Sequence, residues 1–284
     1  MVDNLTKRIN DQMSNFTKTE RLLANFLTVN PARLLLETNS SLAKQAEVSP
    51  MTVSRLVQKI GFKNMADAKR FLKAHSYGPK GSDFDVRFER AHEARKTEHG
   101  DREAIEADSH GIHTAYATRR TPTWNKVVTL LTEADSIYIT GFQTTDYLAR
   151  GMAMFLLYAR PNVHHLSGVD GIYANALTDP AKKKTLIILD VFRYGKNAPA
   201  LANFAKEKGL DVVVICDEFC DWAIKATEYY LPVTPNTRFF FNSMGSLHVV
   251  MNLLVHDVID ALGERVKPQM NAVWRAQDDF GQYL

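Results

Sequence analysis

The chain has 284 residues, room for one large domain or two smaller ones, and its 45% hydrophobic and 24% charged content is ordinary for a globular protein. Two cysteines, Cys216 and Cys220, exclude a secreted disulfide framework. MVDNLTKRIN carries no apolar signal segment and no run approaches the roughly 20 uncharged residues of a membrane span, so a cytoplasmic protein without membrane contact is expected. The net charge of +3 is uneven: residues 1–77 hold 12 Lys/Arg against 6 Asp/Glu, a net +6, leaving −3 for the rest, as suits an N-terminal part that meets a polyanion.

Residues 4–76 read as all helix. Leu5, Ile9 and Met13 form one stripe. Thr17 followed by Glu20 has capping-box spacing and opens a second helix with Leu22, Phe26 and Val29 inward. Pro31 starts a short helix through Leu36. Residues 41–62, SLAKQAEVSPMTVSRLVQKIGF, then form two short amphipathic segments that meet at a tight turn. The first follows Ser40, whose hydroxyl can accept an N–H of the first turn; the second opens with Ser49-Pro50, an N-cap followed by proline at the first helical position, and ends at Gly61.

At about 100° per residue, Val53, Leu56, Val57 and Ile60 share one arc, and Met51, Thr52, Ser54, Arg55, Gln58 and Lys59 fill the other. The outer arc offers a guanidinium for guanine, an amide for adenine, hydroxyls, and an ammonium for phosphate. Any surface helix has a polar outer face. The Ala43/Ala46 pair, the three-residue turn and the Ser-Pro-x-Thr-Val opening are what favour a helix-turn-helix recognition helix. Ser49, Met51, Thr52, Ser54, Arg55, Gln58, Lys59 and the following Lys63 are therefore the candidate contacts to double-stranded operator DNA. The turn places Glu47 where a residue with φ > 0 is preferred, which predicts strain or another turn geometry. A last helix over 64–75 turns Met65, Ala68, Phe71 and Leu72 inward, with Lys63, Lys69, Arg70 and Lys73 outward as phosphate contacts or as a solvated face.

Residues 77–100 read as a charged linker, helical in its later part, and a helix from Arg102 is interrupted at Thr121-Pro122. Trp124, Val127, Val128 and Leu131 then repeat at helical spacing. Beyond them the period shortens: residues 136–140, 162–166, 185–190, 211–216 and 228–233 are β-branched or aromatic runs. Helical stretches over 144–160, 171–177, 197–208 and 219–226 separate them, and a long helix over 243–262 follows. Alternation of apolar strands with helices predicts a five-stranded parallel sheet covered on both faces. The domains expected are 1–77, a linker and connecting helix over 78–119, and 120–284.

In such sheets ligands sit beyond the carboxyl ends of the strands. After the first strand comes GFQTTD, in which Gly141 permits a tight turn and Gln143, Thr144 and Thr145 lead into a helix, as an anion cradle or as a plain N-cap. After the third comes DVFRYGKN, in which Arg193, Tyr194, Gly195 and Lys196 precede another helix and its dipole. Cys216 and Cys220 lack a second pair of zinc ligands, so buried thiols are expected, with no metal and no cofactor. His164-His165 reads as packing, His248 and His256 as core or interface, and the Phe239–Phe241 run as pocket lining or subunit contact.

The helix-turn-helix with NMADAKRFLK behind it, SIYITGFQTTDYLA, and TLIILDVFRYGKNAPALANFAKEKG before DVVVICD together resemble the RpiR-type transcriptional regulators. The resemblance implies a multi-domain protein: an all-α helix-turn-helix domain, then an α/β three-layer sugar-isomerase (SIS) domain. It further implies operator binding, a phosphorylated-sugar effector, and a homodimer or homotetramer. Two loops depart from the family pattern. Gln143 replaces the second glycine of Gly-x-Gly-x-Ser/Thr, and Phe192, Tyr194 and Asn197 replace the hydroxyls of Ser-x-Ser/Thr-Gly-x-Thr. The effector expected is thus a small anionic metabolite, either a sugar phosphate or a carboxylate or sulfonate. The rival reading, a sugar-phosphate isomerase, has only Glu228, His248 and His256 as candidate bases and no use for a basic N-terminal domain.

Overall fold

A computed structural model of the protein describes residues 2–29, 33–34, 37–77, 88–89, 91–92, 98–169, 173–191, 194–236 and 238–282. It forms two compact units, Met1–Glu93 and Ala94–Leu284.

The first unit holds α1 (Val2–Asp11), α2 (Lys18–Val29), α3 (Asn39–Gln45), α4 (Pro50–Lys59) and α5 (Met65–Tyr77). The capping box opens α2: Glu20 accepts the Thr17 N–H at 2.7 Å and the Thr17 hydroxyl accepts the Glu20 N–H at 3.4 Å. Its inward face differs from the expected one. Glu20, Leu23, Ala24 and Leu27 are buried, while Leu22 is 52% exposed and Phe26 only half-buried. Counting apolar residues alone hid the stripe, because its first member is a carboxylate. The Val29 side chain and most of the helix expected over 31–36 lie outside the described residues; Arg33 and Leu34 are helical. Thr38, rather than Ser40, caps α3, accepting the Ser41 N–H at 3.1 Å. Leu42 and Ala43 of α3 are buried with Val53, Leu56 and Val57 of α4, and Ala68 and Leu72 of α5 complete the core.

The second unit begins earlier than residue 120. Its first helix, α6 (Glu98–Arg119), packs on α12 (Gly245–Leu262), and α7 (Pro122–Glu133) follows behind a Thr121 cap. The Arg119 guanidinium grips Asp257 of α12 through Nε at 2.9 Å and Nη2 at 2.5 Å, and the Trp124 indole donates to the same carboxylate at 2.8 Å.

The strands are β1 (Ser136–Gly141), β2 (Val163–His165), β3 (Lys184–Asp190), β4 (Leu210–Asp217) and β5 (Tyr229–Val233). They pair in parallel in the order β2-β1-β3-β4-β5. Alternate residues go to opposite faces. Ile137, Ile139, Ile187, Leu189, Val213 and Ile215 join the core under α7, α8 (Asp146–Ala159) and α12. Tyr138, Leu186, Ile188, Val212 and Val214 join the core under α9 (Ala174–Thr178), α10 (Ala198–Glu207) and α11 (Asp221–Ala226). Strands buried on both sides need apolar residues at nearly every position, which is why they read as continuous runs.

Residues 245–279 are apolar enough in composition to pass for a membrane span, yet Leu247, Val250, Met251, Leu254 and Val258 are buried in the core beneath the sheet. A final helix, α13 (Val266–Asp279), has no counterpart in the sequence reading. Val266 is buried in the core, Met270 packs against it, and two hydrogen bonds tie the helix to α8: Gln269 donates to the Leu157 carbonyl at 3.0 Å and Gln277 to the Tyr158 hydroxyl at 2.7 Å.

Candidate DNA-binding and ligand-binding sites

The recognition-helix candidate is α4. Ser49 caps it, accepting the Thr52 N–H at 3.1 Å, and Pro50 occupies its first turn. At its far end Gly61 has φ 93°, with its N–H on Gln58 O at 3.0 Å and the Phe62 N–H on Val57 O at 3.1 Å. This is a Schellman stop. Arg8 of α1 secures the same end, donating to the Ile60 carbonyl at 3.3 Å while its guanidinium lies 4.5 Å from the Phe71 ring centre.

The turn before α4 repeats this motif with the wrong residue. The Val48 N–H bonds Ala43 O at 2.9 Å, the Glu47 N–H bonds Lys44 O at 3.4 Å, and Glu47 itself has φ 53°. The expected strain therefore sits at Glu47, a non-glycine residue in the left-handed region.

Outward from α4, Met51, Arg55 and Gln58 are exposed and Thr52 is half-buried. Lys63 is exposed beyond the helix, its backbone N–H held by Asp67 at 3.0 Å. Two candidates are turned to other work. Lys59 donates to Glu20 at 2.7 Å and to the Asn15 carbonyl at 3.0 Å, so its ammonium neutralises a buried carboxylate rather than standing clear as a phosphate contact. Ser54 bridges helices, accepting from Asn39 at 2.9 Å and donating to the Pro50 carbonyl at 3.3 Å. On α5, Arg70 pairs with Asp67 at 2.5 Å, and the Lys73 side chain lies outside the described residues.

In the second unit the sheet reverses direction of growth between β1 and β3, and the two candidate loops leave the carboxyl ends of those two strands. Gly141 is forced by space: a Cβ there would meet the Thr145 carbonyl oxygen at 2.5 Å. Gln143, where the family pattern has glycine, has φ 55° and keeps the glycine conformation. Gln143 and Thr144 are exposed. Thr145 is engaged within the fold. Its hydroxyl donates to Leu189 O and Phe142 O, both at 2.8 Å, and its N–H bonds Phe142 O at 3.1 Å. It ties the first loop to β3 and has no donor left for an anion.

In the second loop Arg193 lies outside the described residues. Lys196 is exposed, and the Tyr194 hydroxyl donates to Asp217 at 2.6 Å. Gly195 lies against the first loop: a Cβ on it would come within 2.4 Å of the Phe142 ring. Its N–H points back to Asp190, which also feels Asp217 across the sheet. Burial, strengthened by Asp217, pushes the Asp190 carboxyl up to about 7, although the Gly195 N–H opposes the shift. The Trp222 indole N–H also approaches closely enough to oppose it, but closes no hydrogen bond. Asp190, Asp217 and Phe142 were not singled out from sequence. A signal was present, since the apolar runs LIIL (186–189) and VVVIC (212–216) are each followed by an aspartate.

His164 stacks on Tyr138 with ring centres 5.1 Å apart, and His165 bonds Asp146 at 2.8 Å. Cys216 and Cys220 are buried thiols. His248 and His256 are exposed on α12. Glu228 stands at the amino edge of the sheet, before β5, paired with Lys126 at 2.9 Å and remote from the carboxyl-edge loops.

Residues 3–76 match a family model described as helix-turn-helix domain, rpiR family. No curated protein sequence matches the chain. Among solved structures the chain is similar to the Vibrio vulnificus NanR protein complexed with ManNAc-6P, at 16% identity and TM-score 0.54, over 97% of this chain and 98% of that one. It is also similar to the sugar isomerase domain of an RpiR transcription factor from Sphaerobacter thermophilus, at 17% identity and TM-score 0.56, over 61% of this chain and 97% of that one. The N-terminal domain is therefore an rpiR-family helix-turn-helix domain, and the domain behind it has the α/β fold of the SIS domains.

Proposed function

We propose that this protein is a ligand-responsive transcriptional regulator. The carrying observation is α4: a helix capped at both ends, buried on Val53, Leu56 and Val57, that turns Met51, Arg55 and Gln58 to solvent within an rpiR-family domain. In this reading α4 enters the major groove with Arg55 and Gln58 at base edges and Thr52 beside them, while Ser49 and Lys63 meet phosphates. A homodimer or homotetramer presents paired copies of α4 to a two-part operator. The SIS-type domain senses a small metabolite of a catabolic or carbohydrate pathway at the crevice between the 141–146 and 190–197 loops.

A NanR structure of the same fold was solved with ManNAc-6P, which favours a sugar phosphate. The loop chemistry favours a ligand held differently, because Tyr194 is engaged by Asp217 and Thr145 by β3. Carboxylates and sulfonates therefore stand beside sugar phosphates as candidate effectors.

The test is binding of the full chain to duplexes from its own promoter region against random duplex at moderate ionic strength, with and without metabolite extracts. A preference for the promoter that Arg55→Ala weakens by about one to two orders of magnitude is expected. Equal affinity for both duplexes in every condition would overturn the reading. Melting of the full chain with a panel of anionic metabolites identifies the effector class, since a ligand bound only by the native state raises Tm.

A further inference from the structure

Asp190 closes β3 and is only 1% exposed, yet its carboxylate is not idle. Both of its oxygens accept the Gly195 N–H at 3.1 Å. Gly195 stands at the entry to α10, where its carbonyl accepts the Ala198 N–H at 3.0 Å. Backbone N–H groups at such an entry are those a loop of this kind turns toward an anionic ligand. Here an aspartate from the same chain has taken the place of that ligand. The crevice is tight as well, since the Phe142 ring leaves no room for a side chain at residue 195.

We propose that Asp190 is an internal anion that holds the Gly195 N–H and so sets the specificity of the second loop, which accepts a doubly charged anion only when Asp190 is protonated or displaced. This rests on the reading of the 141–146 and 190–197 loops as the effector site. Two like charges cannot share one N–H in a place with so little water, so the incoming anion and the ionised carboxylate exclude each other.

The described groups that act on Asp190 are the Gly195 N–H from the loop, Asp217 from β4 and the Trp222 indole from α11; Phe142 on the β1 side is apolar. Cys216 on β4 is also near, and its thiol is held up by burial, with Cys220 and the two aspartates adding to the effect. None of these groups is a cation, so nothing among them balances the carboxylate's charge. The carboxyl, raised by burial to about 7, changes charge within the physiological range.

The experiment is calorimetric titration of the full chain with sulfate, whose charge is constant over the range used, at about pH 6 and pH 8.5. The unaltered protein is expected to bind sulfate at least about tenfold more tightly at the lower pH, following the protonated fraction of Asp190. Asp190→Asn should bind with one affinity at both, near the acid value of the unaltered chain. Equal affinities in the unaltered protein, or the same pH dependence in the variant, overturn the proposal while leaving the effector site standing. No sulfate binding by either protein at either pH overturns the proposal and the site reading together. If Asp190→Asn does not fold, the Gly195 amide resonance of the unaltered chain decides: it should titrate near neutrality and lose that titration in saturating sulfate. A flat profile overturns the proposal.

Discussion

The Lys59 ammonium stands 2.7 Å from the Glu20 carboxylate, joining the outer face of α4 to the first turn of α2. Glu20 is 3% exposed and Lys59 is 37% exposed. Burial alone would raise the Glu20 carboxyl, but Lys59 and the Thr17 N–H and hydroxyl outweigh it and hold the group below its ordinary 4.5. Such a group contributes stability that is present above its unfolded pKa and is lost as pH falls through the folded one. Lys59→Ala should therefore destabilise the N-terminal domain by about 2 kcal/mol at neutral pH. The deficit should close as the solution is acidified below about pH 4. The slope of log affinity for DNA against log salt should stay unchanged, whereas loss of a true phosphate contact would lower it by about one. Thermal melting against pH and salt titrations of DNA binding check the two halves.

Glu47 offers the opposite sign. Its φ of 53° costs a side-chain-bearing residue roughly 1 kcal/mol, and glycine adopts the conformation without that penalty. Glu47→Gly should raise the stability of the helix-turn-helix domain by about 0.5–1 kcal/mol, read as a higher urea midpoint at unchanged m-value. Glu47→Ala should gain nothing, since alanine keeps the Cβ that clashes.

Arg55 and Gln58 are exposed on a helix held rigidly at both ends. Arg55→Ala should shift the melting temperature by no more than about 2–4 °C, since a surface change of this kind is worth less than about 0.5 kcal/mol in a domain of this size. It should nevertheless cost about 1–3 kcal/mol of discrimination at one operator position. Competition binding against operator variants measures it, and a uniform loss across sequences would reassign Arg55 to phosphate.

The sequence displayed the strands and α4 because their signals are local. Val53, Leu56, Val57 and Ile60 repeat at helical spacing, and the middle stretches of the central strands are continuous apolar runs because both their faces are covered. It concealed whatever depends on a distant partner. Lys59 looks like a phosphate contact until Glu20, 39 residues away, is brought to it. Thr145 looks like a ligand hydroxyl until β3 supplies the Leu189 carbonyl. Helix α13 shows only a short apolar stripe, Val266 and Met270, because the rest of its seat is made by Gln269 and Gln277. The pattern around Gly195 was legible as a loop, but its direction was not, because the carboxylate that turns it inward closes the preceding strand.

Thr145 separates a structural hydroxyl from a ligand-binding one. Removing it leaves the Leu189 and Phe142 carbonyls short of a buried donor, a loss of about 1–2 kcal/mol. Thr145→Val, nearly isosteric, should lower stability by that amount, and Thr145→Ser, which keeps the hydroxyl, should recover most of it. Denaturant midpoints of the two variants provide the measurement. Equal midpoints would return Thr145 to the list of ligand contacts.

Asp190 predicts a pH dependence opposite to that of Glu20. Its folded value of about 7 lies above the ordinary 3.8, so the native state binds more protons than the unfolded chain between these limits. Stability then falls as pH rises from about 4 to about 7, and the full displacement corresponds to on the order of 4 kcal/mol of folded-state cost at pH 8.5. Glu218, at the end of β4, is also raised to about 7 by burial and by Asp217, so the pH profile of the unaltered protein contains both groups. Comparison with Asp190→Asn isolates the first. The amide oxygen can still accept the Gly195 N–H, so the variant should be the more stable protein at pH 8.5, by a few kcal/mol or less. The two should converge as pH falls toward 5, where Asp190 is neutral in the folded protein. Tm profiles from pH 5 to 8.5 that run parallel for the two proteins would mean that the Asp190 carboxylate is stabilised in the fold by a charge outside the described residues.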